Sequence, residues 1–313
     1  SCVQHKPLSF LISLQYHEPL LFESYIIVTF VKIRVKLVFK SLIMKNILVP
    51  VGSSKNAVSH LQYAVDFAKA FGAKVYVVQV YNVYTKAGTM IKVDHIIERE
   101  SLSFLNAHVD KIDKKDVEVV VKVLKGSLVD TLELACEAFE IDLILLEPRT
   151  TSIKDEVFLG KTSGKIIKQT NIPALIVPEG YSYKPVSRIL LAIKSAIVKK
   201  GDALKPLIAF KEQYKAIVNL LLVRTPYYND GDFDVTEEIS SMITNTTHVD
   251  AATTYQGVLQ HYKDNDPDLL CVVRRKRGFF AKKWENNVIL KKDFEIPQIS
   301  VELNQTTEQS FHS

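Results

Sequence analysis

From Lys45 to Leu303 the chain runs through one series of apolar strand segments and amphipathic helical segments, then runs through the same series again. In the first pass, "KNILVPV" (Lys45–Val51) is short, apolar and rich in β-branched residues, the pattern of a strand buried on both faces. Residues 54–73 carry Leu61, Ala64, Val65 and Ala68 at helical spacing, with Gly72 as a C-terminal stop. "KVYVVQVY" (Lys74–Tyr81) is the next strand, and residues 95–113 form a long amphipathic helix. A strand over 117–126, a helix over 128–140, a strand over 142–148, a short helix over 162–170 and a strand over 172–179 complete the unit. Strands separated by helices predict a doubly wound parallel sheet.

In the second pass "RILLAIK" (Arg188–Lys194) matches "NILVPVG", and "AIVNLLLV" (Ala216–Val223) matches the second strand. "DLLCVVRR" (Asp268–Arg275) matches "DLILLEPR", and "IPQISVEL" (Ile296–Leu303) matches "IPALIVPE". The offset is 142 at Ile47/Ile189, 126 at Asp142/Asp268 and 124 at Ile172/Ile296. The second copy is therefore shorter, trimmed mostly before its fourth strand. A tandem duplication accounts for these matches: a first domain over 44–182 and a second, diverged one over 186–303. A turn-rich linker, "PEGYSYKP" (Pro178–Pro185), joins them, and residues 304–313 form a tail.

The 313 residues suffice for two such units, and 47% hydrophobic with 24% charged residues fits soluble globular domains. No apolar run reaches the roughly 18 to 20 residues of a membrane-spanning helix, so no membrane is expected as a partner. The three cysteines, Cys2, Cys136 and Cys271, are far apart and odd in number, which fits a reducing compartment and a cytoplasmic location. The net charge is +5, of which +3 belongs to residues 1–43 (Lys6, Lys32, Arg34, Lys36 and Lys40 against Glu18 and Glu23). Only +2 remains for the repeated units, so overall charge gives no reason to expect nucleic acid. The first methionine is Met44. The 43 residues before it contain an alternating apolar and cationic run, "VKIRVKLVFK" (Val31–Lys40), but no domain pattern and no small-residue cleavage site. They are expected to be a non-domain, non-native extension, upstream sequence read through to a start at Met44.

"MKNILVPVGSS" opening a unit, Lys125-Gly126 before a helix, "DLILL", a loop, "GKTSGKII" entering a short helix and then "IPALIVP" together resemble the universal stress protein family. The repeat is similar to the family's tandem, two-domain bacterial members. The resemblance covers residues 44 to about 303, and for the second unit it rests on the internal repeat. It implies an α/β fold of two Rossmann-like, five-stranded parallel units. These would pair as a pseudo-dimer through their last strands, residues 172–178 and 296–302, and a homodimer is a further possibility.

"GKT" (Gly160–Thr162) invites a phosphate-loop reading, but the glycine needed five residues earlier is Asp155. The ATP-binding members of the family use another loop: a glycine after the fourth strand, a second three residues on, then nine residues, then glycine and Ser/Thr. Here those positions hold Glu147, Thr150, Gly160 and Lys161, with Thr162 and Ser163 just beyond. One of three glycines survives. A β-branched Thr150 turns badly toward a phosphate, Glu147 repels one, and Pro148 removes an amide donor. The family's acidic residue after the first strand is Gly52 here, between Val51 and Ser53. Gly126 matches its glycine after the third strand. The resemblance thus implies a residual ATP, ADP or phosphate site in the first unit, from Val51, Gly52, Ser53, Gly126, Gly160, Lys161, Thr162 and Ser163, with no tightly held cofactor. Two readings of the last four stay open: a phosphate corner at a helix start, or a helix capped by Thr162 or Ser163.

The matching loop of the second unit, "VRRKRGFFAKKWENNVILKKD" (Val273–Asp293), has Val273 and Lys276 at the first two glycine positions. It sets Arg274, Arg275, Lys276, Arg277, Lys282 and Lys283 around Phe279, Phe280 and Trp284. Cations interleaved with aromatics can grip phosphates and bases or dock an acidic protein. The plainer alternative is a solvated loop with its aromatics packed back. Calcium-loop spacing fails from Asp264 and from Asp230; "YYNDGDFD" reads as a surface loop. No histidine pairs at metal spacing, no nucleophile elbow appears, and Cys136 and Cys271 read as core thiols. The expectation is a non-enzymatic stress-response or signalling module with an unknown protein partner. The alternatives are an ATP-binding member with slow hydrolysis or phosphotransfer, and a nucleic-acid-associated module through residues 274–284.

Overall fold

The computed structural model describes residues 44–82, 90–148, 161–170, 172–197, 204–275 and 298–303. The first half contains β1 (Asn46–Pro50), α1 (Ala57–Phe71), β2 (Lys74–Tyr81), α2 (Met90–Val109), β3 (Val119–Lys125), α3 (Leu128–Ala138), β4 (Leu143–Leu146), α4 (Lys161–Gln169) and β5 (Ala174–Ile176). The second contains β6 (Arg188–Ile193), α5 (Lys205–Tyr214), β7 (Ile217–Arg224), α6 (Glu237–Ser240), β8 (Asn245–Asp250), α7 (Thr254–Asn265), β9 (Leu269–Arg275) and β10 (Gln298–Leu303). The fold is α/β and Rossmann-like in both halves.

All ten strands form one sheet in the order β3-β2-β1-β4-β5-β10-β9-β6-β7-β8, so the order within one half is that of the other reversed. Neighbours are parallel except β5 and β10, which meet antiparallel over Gln298↔Ile176, Ile299↔Leu175 and Ser300↔Ala174. The repeat seen in the sequence is a repeat of register. Ile47 lies opposite Val75 and Leu143, while Ile189 lies opposite Val218 and Leu269. The repeated aspartates have the same task in each half. Asp142 Oδ2 accepts the Lys45 and Asn46 amides at 2.7 and 3.0 Å, and Asp268 Oδ2 accepts the Ser187 and Arg188 amides at 2.8 and 2.9 Å. Each carboxylate satisfies the amides at the start of a central strand, which would otherwise have no strand partner.

The central strands bury alternate residues on both faces, as a parallel sheet covered by helices requires. On one face Ile47, Val49, Val75 and Val77 meet Leu61, Phe67 and Leu105, and the same core continues through Ile189, Leu191, Leu220 and Phe210. The opposite face is covered separately in each half. Leu48, Ile144 and Ile176 meet Leu132, Ile166 and Ile167 in the first; Leu190, Leu221 and Val223 meet Val258 in the second. The two cysteines among the described residues are in these cores, and burial pushes the Cys136 and Cys271 thiols up to about 12, which makes them unreactive near neutral pH.

The trimming is located by the strand starts. They differ by 143 from β2 to β7 (217 − 74), by 126 from β3 to β8 (245 − 119) and again by 126 from β4 to β9 (269 − 143). The deletion therefore falls before the third strand, where the 20-residue α2 is replaced by the four-residue α6. As a result Asn245, Thr246, Thr247 and His248 of β8 are exposed. Helix α2 also ends earlier than its apolar spacing predicts. The Gln62 side chain binds the amide and the carbonyl of Asp113 and holds "DKID" in a turn.

The halves also meet through rings. Phe67 and Phe71 of α1 pack on Phe210 of α5 at 5.4 and 5.6 Å between ring centres, and Phe71 meets Tyr214 edge-on at 5.6 Å. From the linker, Tyr183 packs edge-on against Tyr63 at 5.8 Å, and its hydroxyl lies 3.0 Å from that of Tyr214. The signal in the sequence is the spacing of Tyr63, Phe67 and Phe71, and of Phe210 and Tyr214, four apart on one helix side. Sequence reading did not connect the two rows.

Candidate functional site

In an open α/β sheet, ligands bind beyond the carboxyl ends of the strands where neighbouring strands send the chain to opposite faces. In the first half that place lies between β1 and β4: α1 packs on the face of Ile47 and Val49, and α4 on the face of Leu48 and Ile144. Val51 ends the first strand run, buried, with its amide donating to the Val78 carbonyl at 2.8 Å. Gly52 and Ser53 form the turn, closed by the Ser54 amide donating to the Gly52 carbonyl at 2.8 Å. Ser53 is exposed and Gly52 half-buried.

The Glu147 carboxylate faces this turn. Ser54 Oγ donates to Glu147 Oε2 at 2.8 Å, and the Asn56 amide donates to Ser54 Oγ at 3.2 Å. Glu147 is only 8% exposed. Asn56, at the N-cap position of α1, makes no capping bond; its side chain binds the Glu179 carboxylate from the linker instead. Two carboxylates are thereby tied to the residues leading into the amino end of α1, where the helix dipole favours negative charge.

Helix α4 begins at Lys161, so Thr162 and Ser163 are inside its first turn and neither is the cap residue. Thr162 is exposed. Ser163 is buried and its Oγ donates to the main-chain carbonyl of Glu147 at 2.9 Å, fastening α4 to the end of β4. Gly126 shapes a turn: its φ is +146°, its amide donates to the Tyr81 carbonyl at 2.9 Å, and an added Cβ would be 2.4 Å from Thr131 Oγ1. That close approach accounts for the glycine without a ligand.

Gly160 lies outside the described residues, as do Lys276, Arg277, Phe279, Phe280, Lys282, Lys283 and Trp284. Arg274 and Arg275 end β9, in register with Glu302 and Leu303 of β10. The acidic loop differs from its surface reading at one residue: Asp232 is buried, its Oδ2 accepting the Asn229 amide at 2.8 Å. Among the described residues no three His, Cys, Asp or Glu side chains converge as a metal site, and no helix is long and apolar enough to cross a membrane. Sequence reading named Glu147 as a lost glycine whose charge repels a phosphate, and did not single out Ser54. Their contact joins residues 93 apart and follows only once β1 and β4 are neighbours.

Residues 44–178 match the model of the Universal stress protein family. A universal stress protein of Methanocaldococcus jannaschii is 22% identical over 138 residues, covering 42% of this chain and 81% of that protein. Among solved structures, a universal stress protein from Archaeoglobus fulgidus superposes with a TM-score of 0.64 at 17% identity, over 83% of this chain and 98% of that one. A protein of unknown function from Pseudomonas aeruginosa gives a TM-score of 0.54 at 12% identity, over 84% and 94% of the two chains. These two likenesses extend over both halves of the sheet and concern the fold.

Proposed function

We propose, for a chain that belongs to the universal stress protein family through residues 44–178, that it is a non-enzymatic stress-response or signalling module that works through protein contacts and holds no ATP tightly. The observation that carries this reading is the crevice between β1 and β4. A site for triphosphate needs free donors and an absence of fixed negative charge. Here the Ser54 hydroxyl is committed to a carboxylate of the chain and Ser163 to a main-chain carbonyl. The module comprises two family-like domains, 44–182 and 186–303, paired as a pseudo-dimer through their last strands. The mirrored strand order and the antiparallel register of β5 and β10 support that reading. The protein partner is of unstated identity, and the cell location consistent with the thiol usage is the cytoplasm.

Calorimetric titration of the full chain with ATP, and separately with ADP, is the test. The expected result is no saturable heat in the micromolar range. Micromolar affinity for either nucleotide overturns the reading and favours an ATP-binding member with slow hydrolysis or phosphotransfer.

A further inference from the structure

We propose that Glu147 is the specificity-determining residue of the first half's crevice: its carboxylate is an anion supplied by the chain itself, held by Ser54 at the place where a ligand's anionic group would be received. The inference rests on the reading that the crevice takes no tight nucleotide, and it names the cause.

Position is the first argument. Glu147 directly follows β4, and Ser54 lies on the turn leaving β1, the two strands that flank the switch point. Burial is the second. A carboxylate left only 8% exposed is tolerated where donors and helix dipoles compensate its lost hydration, so the compensating groups are already engaged. The third comes from the other half. The strand offset of 126 carries Glu147 onto Val273, and the offset of 142 carries Ser54 onto Ala196. Val273 packs against the shared core and Ala196 is fully buried in it. The matching positions of the second half thus hold two apolar residues. The fold does not require the Ser54–Glu147 pair, and a buried polar pair that packing does not demand points to selection at the crevice.

The charge and the bulk of Glu147 exclude anions in different ways, and two variants separate them. E147Q keeps the shape and an acceptor for Ser54 but removes the charge; E147G removes both. The full chain, E147Q and E147G are titrated calorimetrically with ADP and with inorganic phosphate, and circular dichroism checks that each is folded. The expected result is at least a tenfold gain in affinity for one of the two probes in E147Q, with a further gain in E147G. E147Q, nearly isosteric, keeps the test valid even where E147G loses its fold. A folded E147Q that binds both probes no better than the unaltered chain overturns this inference, whether or not E147G folds, and leaves the proposed function standing. Micromolar ADP binding by the unaltered chain overturns both.

Discussion

Phe67→Ala is expected to lower stability by about 3–5 kcal/mol, the usual cost of emptying an aromatic core position, and to weaken both halves together. Phe67 is 1% exposed, and its ring touches Phe71 at 4.7 Å and Phe210 at 5.4 Å. Phe210, itself 1% exposed, belongs to the other half. Removing either ring leaves a cavity that neither half can close alone. Denaturant unfolding of the full chain, with amide exchange read separately on β1 and β6, checks this. Phe67→Ala, Phe210→Ala and the double variant form a cycle. A coupling of about 0.5–3 kcal/mol is expected for residues in direct contact. Additivity within about 0.5 kcal/mol, or faster exchange confined to the first half, would show that the rings touch without binding the halves into one cooperative body.

Gly126→Ala is expected to destabilise by about 1–3 kcal/mol from the backbone alone, because a φ of +146° is strongly disfavoured for a residue with a Cβ. The new methyl would also meet Thr131 Oγ1 at 2.4 Å, which adds to the cost. Thr131→Ala in the same background is therefore expected to recover the contact part and leave the backbone part. The comparison separates two roles for a residue that the sequence assigns to a residual nucleotide site. A melting temperature that falls with Gly126→Ala and is partly restored by Thr131→Ala marks a turn glycine. An unchanged melting temperature would return Gly126 to the list of ligand contacts.

β1, β4, β6 and β9 were legible in the chain because each carries an apolar run, the mark of burial on two faces; β10 was legible only through the repeat, and the polar β8, "NTTHVD", was not. Gly72 was legible too: it takes the left-handed conformation at the end of α1, with φ of 63°, as its position after the last apolar residue implies. Asp142 and Asp268 stood out as matching letters of the repeat, while their shared bonding to strand-start amides needs the strands in place. The rows of Tyr63, Phe67 and Phe71 and of Phe210 and Tyr214 were visible but ambiguous, since helical aromatic spacing does not say what lies opposite. The candidate site was legible as a loss, in the glycines replaced at Glu147 and Thr150. It was not legible as a replacement, because the partner of Glu147 comes from a turn 93 residues away. Ser163 stayed open between a cap and a phosphate corner for a local reason. Hydroxyls near a helix start favour caps, and here the start lies two residues earlier, freeing the hydroxyl to bind the end of β4.

The most direct measurement is the mass of the full chain, purified without added nucleotide and sprayed under non-denaturing conditions. A crevice already filled by the carboxylate of Glu147 predicts the mass of the bare polypeptide. An added mass equal to an adenine nucleotide, lost when the protein is denatured, would contradict it.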